Sequence, residues 1–180
     1  MNVFDVSMKQ IRNGLVYLPN ETKPFTGGFV GWYDNSQKLV ESNYIDGKED
    51  GKYTRWHDNG QKFVESNYID GKLDGKYTVW HDNGQKLVES NYKDCKKDGA
   101  HTVWHDNGTK AVESNYKDGK LDGKYTQWYE NGQKKEESNY KDGKETSFIV
   151  MRLKKIGINP KKWYFVIFTV VIIFFLNQIH

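Results

Sequence analysis

Hydrophobic and polar positions alternate here in short strings bounded by turn residues. Lys52-Tyr-Thr-Arg-Trp-His57 is rich in aromatic residues and Thr, Asp58-Asn59-Gly60 follows, and Gln61 to Ile69, with Phe63, Val64 and Tyr68, forms a second string. Asn-Gly between two such strings is a strong hairpin signal. A second turn, Asp70-Gly71-Lys72-Leu73-Asp74-Gly75, leads onward. No helical period and no apolar run suited to a buried helix occurs within this unit. The pattern predicts two antiparallel strands per unit.

The unit recurs. Five tandem copies of 24 residues fill 27–50, 51–74, 75–98, 99–122 and 123–146. A period of this size marks a repeat array. Stacked hairpins predict an all-β fold, an elongated single-layer antiparallel meander sheet. Strands about 4.8 Å apart would advance it by about 10 Å per repeat. A single layer buries no deep core, so stability must come from ladders of like residues and from nearest-neighbour contacts. Trp32, Trp56, Trp80, Trp104 and Trp128 predict one ladder, and Tyr44, Tyr68, Tyr92, Tyr116 and Tyr140 another.

The turn sets which side chains share a face. A two-residue turn at Asn59-Gly60 would set Trp56 opposite Phe63. A three-residue loop, Asp58–Gly60, with a glycine bulge would put Thr54, Trp56, Val64, Ser66 and Tyr68 on one side, and is preferred because it gathers the positions that recur from copy to copy. The variable positions Arg55, Val79, Val103 and Gln127 would then lie on the other, beside Tyr53, Tyr77 and Tyr125. A slip of one residue exchanges the two faces. The fourth copy has Ala100-His101 where others have Lys-Tyr, which predicts a locally weaker strand. The fifth has Lys135-Glu136 where the second has Phe63-Val64, a polar end suited to solubility.

The core G-x-x-x-x-W-[HY]-[DE]-N-G-Q-K, the later E-S-N-Y and the closing D-G-K resemble the MORN-repeat variant of bacterial antitoxin proteins of the YwqK type. The resemblance covers 27–146 and extends to the lead-in Asn13–Phe25. It implies an antiparallel β-ribbon that binds other proteins, here a toxin.

The flanks differ in character. Residues 1–26 contain a strand-like stretch, Gly14 to Pro19, and read as an N-terminal cap whose Pro19 and Pro24 blunt the sheet edge. No basic leader with an apolar stretch begins the chain, so no secretory signal is expected. Residues 147–162 read as a basic linker and 163–179 as a hydrophobic tail. Trp163 to Leu176 is apolar except for Thr169. Three readings of the tail stand. It is a helical anchor that holds a cytoplasmic repeat domain at the inner membrane, the start of an unrelated exported segment joined to the repeats, or an element capping the open end of the sheet.

Charge narrows the partners. The formal net charge is +3, but 151–180 hold five basic residues and no acid. The remainder has 22 basic against 24 acidic residues, a net of −2. No attraction to nucleic acid is expected. The single cysteine, Cys95, replaces a turn glycine and excludes an intrachain disulfide.

Candidate chemistry is sparse. His57, His81 and His105 recur once per repeat, and a spacing of about 10 Å in a stacked array is too wide for shared zinc ligation. Tyr33 and Tyr129 occupy the same slot, which asks for a flat ring. The Asp of each DNG motif reads as a turn former. Ser66, Ser90 and Ser114 lie mid-strand with no His nearby in sequence, and no phosphate-binding glycine loop or kinase motif is present. The sequence therefore predicts a non-enzyme without cofactor or metal. Two functions follow from it. One is a protein-binding module with Tyr53, Arg55, Tyr77, Val79, Val103, Tyr125 and Gln127 as contact candidates. The other is a scaffold held at a membrane surface through the tail.

Overall fold

The computed structural model describes residues 2–146. The linker and tail, including the expected hydrophobic helix, lie outside the described residues. Strands β1 (Val3–Asp5), β2 (Gln10–Arg12) and β3 (Leu15–Tyr17) precede the repeats, with one 3-10 turn at Val6–Met8. The first repeat supplies β4 (Gly27–Trp32) and β5 (Lys38–Ile45), and the short β6 (Lys48–Glu49) leads to β7 (Gly51–Trp56) and β8 (Lys62–Ile69). Then come β9 (Lys72–Leu73), β10 (Gly75–Trp80), β11 (Lys86–Lys93), β12 (Lys96–Trp104), β13 (Lys110–Lys117), β14 (Lys120–Trp128), β15 (Lys134–Lys141) and β16 (Lys144–Glu145).

Fourteen of these strands form one sheet in chain order, and β2 and β3 form a separate hairpin. Repeat strands pair antiparallel throughout, and all five hairpins share one register: Gly51 faces Tyr68 as Gly27 faces Tyr44 and Gly123 faces Tyr140. Strand β12 runs unbroken from Lys96 to Trp104, so Ala100 and His101 do not weaken it as expected. Their effect falls on side chains instead.

The DNG turn has three loop residues, as expected. His57 N–H donates to the Gln61 carbonyl at 2.8 Å and Gly60 N–H to the His57 carbonyl at 3.0 Å. Gly60 has φ 81°, which glycine adopts without strain. A second irregularity overturns the predicted faces. Trp56 pairs with Lys62 but Arg55 pairs with Val64, so Phe63 is an extra residue in β8. Every repeat has this bulge next to its Trp. A bulge adds one residue to one strand and reverses the alternation beyond it. The Trp ladder therefore lies with Thr54, Lys62 and Glu65. Ser66 and Tyr68 lie on the opposite face, with Tyr53, Arg55 and Val64. The two are called here the tryptophan face and the tyrosine face.

The N-terminal edge is covered by β1, which joins β4 in parallel. The prolines sit in the loop between β3 and β4, so a paired strand and not a proline closes this edge. The β2–β3 hairpin and Phe25 fold over the tyrosine face of the first repeat. Val16, Phe25, Phe29 and Tyr44 are buried there, with Phe4, Val6 and Leu18 against them. Phe25 and Phe29 ring centroids are 4.5 Å apart. This is the one place where the protein has two layers among the described residues.

Candidate functional site

The first, second and fourth repeats are fastened to the next by their turn residues. Asn59 Oδ1 accepts from its own Gln61 N–H at 2.9 Å, and Asn59 Nδ2 donates to the Asp82 carbonyl of the next turn at 2.7 Å. Asn35 and Asn107 reach Asp58 and Glu130 in the same way. The flat-ring slot does related work. The Tyr33 hydroxyl donates to the Trp56 carbonyl at 2.8 Å, and the rings of His57 and His105 meet the carbonyls of Trp80 and Trp128. His81 departs from this: its Nε2 lies 3.4 Å from Asp106 Oδ1 without hydrogen-bond alignment. The rings of Tyr33, His57 and His105 thus bond backbone.

The tyrosine face carries every contact candidate named from the sequence. Tyr53 and Arg55, Tyr77 and Val79, Val103, and Tyr125 and Gln127 occupy alternate positions of β7, β10, β12 and β14. The face is not separate from the tyrosine ladder, as had been expected, but is the same one. Tyr53 meets Tyr68 edge-on at 6.2 Å, Tyr77 meets Tyr92 at 5.7 Å and Tyr125 meets Tyr140 at 5.9 Å. Burial raises the phenol pKa values of Tyr53, Tyr68, Tyr92, Tyr125 and Tyr140, so these hydroxyls stay protonated near neutral pH. The variable positions form one row across the strands: Arg55 pairs with Val64, Val64 with Val79, Val88 with Val103 and Val112 with Gln127. Arg55 is exposed, Val79 is buried, and Val103 and Gln127 are half-buried.

The first repeat shows this face occupied. Lys9 Nζ donates to the Tyr44 hydroxyl at 2.7 Å and stands 4.9 Å from the ring centre. Tyr44 in turn donates to Glu49 at 3.1 Å. Val6 lies over Gly31, the first-repeat equivalent of Arg55; a Cβ there would come within 2.7 Å of it.

One cluster escaped the sequence reading. His101 Nδ1 lies 2.7 Å from Ser90 Oγ on the neighbouring strand, and Lys97 Nζ is 3.4 Å from the same ring. Burial first, and the Lys97 charge second, lower the His101 pKa to about 4. Burial also lowers that of Lys97. The neutral ring and the Ser90 hydroxyl share one hydrogen bond. Ser90 is only 1% exposed, so no substrate reaches it as a nucleophile. Register alone brings this pair together, since 11 residues separate them.

On the tryptophan face, Trp32 is exposed and the other four ladder residues are half-buried. Lys38, Lys62 and Lys86 each stand over the next repeat's Trp, at 5.4 to 5.7 Å. Glu65, Glu89 and Glu137 have lowered pKa values because lysines donate to them. Among the described residues no helix is long and apolar enough to cross a membrane.

The class is thus a tandem β-hairpin repeat protein, with a ribbon of two chemically distinct faces. Residues 49–70, 73–94, 97–118 and 121–142 match the family described as MORN repeat variant, and the chain carries four tandem repeats of that type. The first hairpin, outside those matches, has the same register. A comparison with curated proteins finds no match.

Proposed function

We propose that the protein is a non-enzymatic binding module, that its tyrosine face in repeats two to five receives a protein partner, and that this partner is a toxin it neutralises. One observation carries the binding reading. Residues 2–26 already dock on the same face of the first repeat, with Lys9 on Tyr44, Val6 on the variable slot and Phe25 on Phe29. The following repeats present the same variable slot and the same tyrosine pair, with His101 replacing one tyrosine in the fourth. Tyrosine and arginine are common anchors of protein interfaces. The variable row tunes the choice of partner. The toxin is the partner class suggested by the resemblance of the repeats to the antitoxin type.

The test is affinity capture from native cells with the full-length chain and two face variants. Arg55→Glu with Gln127→Lys should lose the retained partner, and Lys76→Ala on the opposite face should keep it. Expression of that partner alone should arrest growth, and co-expression of this protein should restore it. Retention indifferent to the Arg55 and Gln127 changes would sink the face assignment. A harmless partner would sink the antitoxin role.

A further inference from the structure

On the tryptophan face the glutamates Glu65, Glu89 and Glu137 are each clamped by two lysines. Glu65 is 2.8 Å from Lys52 and 2.5 Å from Lys62. Glu89 is 3.0 Å from Lys76 and 2.6 Å from Lys86. Glu137 is held by Lys124 at 3.3 Å and by Lys134. One lysine lies three residues earlier on the same strand, and the other reaches across from the paired strand.

The fourth repeat breaks the set. Ala100 stands opposite Asn115 where Lys52 stands opposite Asn67. Glu113 keeps one lysine, Lys110, 2.7 Å from its Oε1. Its side chain is 51% exposed, against 30% for Glu65 and 29% for Glu89. Where a lysine stem would run there is a cavity of about 260 Å³, bounded by Ala100, Thr102, Glu113, Asn115, Lys124 and Thr126. The first repeat also lacks this lysine, having Gly28. There, however, Val3 fills in, 3.4 Å from where a Cβ would stand.

We infer that this notch receives a lysine side chain from a protein partner, its stem along Thr102 and Thr126 and its ammonium on the Glu113 carboxylate. A carboxylate accepts several charge-assisted hydrogen bonds, and the sister repeats show the same carboxylate taking two lysines. Lysine is the side chain the sister repeats use in this place: Lys52 and Lys62 share Oε2 of Glu65, and Lys76 and Lys86 share Oε2 of Glu89. Lys124 at the rim is taken up by Glu137. The stem covers the apolar floor that Ala100 leaves. The notch lies on the face opposite to the proposed tyrosine surface, so the two stand or fall separately.

The full-length chain is titrated with N-acetyl-lysine amide and, as a neutral analogue, N-acetyl-norleucine amide, while the glutamate carboxyl carbons are followed by NMR. The lysine derivative should shift Glu113 saturably and leave Glu65, Glu89 and Glu137 still; the norleucine derivative should shift none. Ala100→Lys, which supplies the missing ammonium in place, should weaken binding by about tenfold or more. Glu113→Gln should do the same if the first variant does not fold. Lys76→Ala should create a second responsive carboxylate at Glu89. Equal response of all four glutamates, or undiminished binding by Ala100→Lys and Glu113→Gln, overturns the inference.

Discussion

Cys95 stands in a two-residue turn with φ 63°, where Gly47, Gly71, Gly119 and Gly143 stand in the other four repeats. A side chain in that left-handed conformation costs about 1 kcal/mol relative to glycine. The return is a weak contact from Leu73 N–H to Cys95 Sγ at 3.3 Å. Cys95→Gly should therefore stabilise the protein by about 0.5–1 kcal/mol, read as a higher urea midpoint; a lower one would show that the sulfur contact outweighs the strain. His101 gives a second prediction. Unfolded, its imidazole takes up a proton near pH 6.5; folded, it resists until about 4. A depressed folded pKa means that the unfolded chain binds more protons in that window, so stability falls as pH drops from about 6.5 to about 4. The clamped Glu65 and Glu89 act lower. Their folded pKa values lie below the ordinary 4.5, so their contribution is present above that value and lost as pH falls through the folded one. His101→Tyr, which restores the residue of the sister repeats, should lessen the drop in urea midpoint between about pH 7 and about pH 5. Equal drops in wild type and variant would refute the role given to His101.

At the scale of the element, the DNG turn is both a hairpin loop and a fastener. Asn59→Ala removes two hydrogen bonds, one within its turn and one to Asp82 of the next. Asn131→Ala removes the bond to its own Gln133 N–H, and among the described residues no following turn receives its amide. The first change should cost about 1–2 kcal/mol and the second about half that. Hydrogen exchange should show the loss at Asn59 spreading into the third repeat and the loss at Asn131 staying local. Much of this element was legible in the sequence. Asp-Asn-Gly marked the hairpin loop, Asp-Gly the tight turn, and the identical spacing the ladders. The faces were not legible, for one physical reason. The extra residue is Phe63 in one repeat, Leu87 in another, Ala111 and Lys135 in two more. A bulge that needs no glycine leaves no residue signature, yet it reverses the alternation on which the face assignment rested. The Ser90–His101 pair was hidden for a related cause, since only strand register sets it side by side.

At the scale of the whole molecule, a meander has two open edges, and the described residues show how one is closed. An exposed strand edge with unpaired backbone groups invites pairing with other chains. Here β1 pairs with the first repeat in parallel, and the β2–β3 hairpin with Phe25 covers Phe29, fully buried, and Tyr44, 2% exposed. The backbone is tied across as well: Val16 N–H donates to the Gly47 carbonyl at 2.9 Å and Gly47 N–H to the Phe25 carbonyl at 2.8 Å. Removing 1–26 should therefore expose both the edge and the aromatic cluster. In a linear array each repeat leans only on its neighbours, so the damage should fade along the chain. Hydrogen exchange should show protection lost across β4 and β5, reduced in β7 and β8, and retained from β10 onward. Sedimentation should show self-association that rises with concentration. Phe29→Ala in the intact chain, expected to cost about 3–5 kcal/mol, should loosen the first repeat without opening the edge, and so should not self-associate. If both proteins associate alike, the exposed apolar surface is responsible. If only the truncated chain does, the strand edge is, and β1 is the device that keeps this ribbon from lengthening itself with other chains.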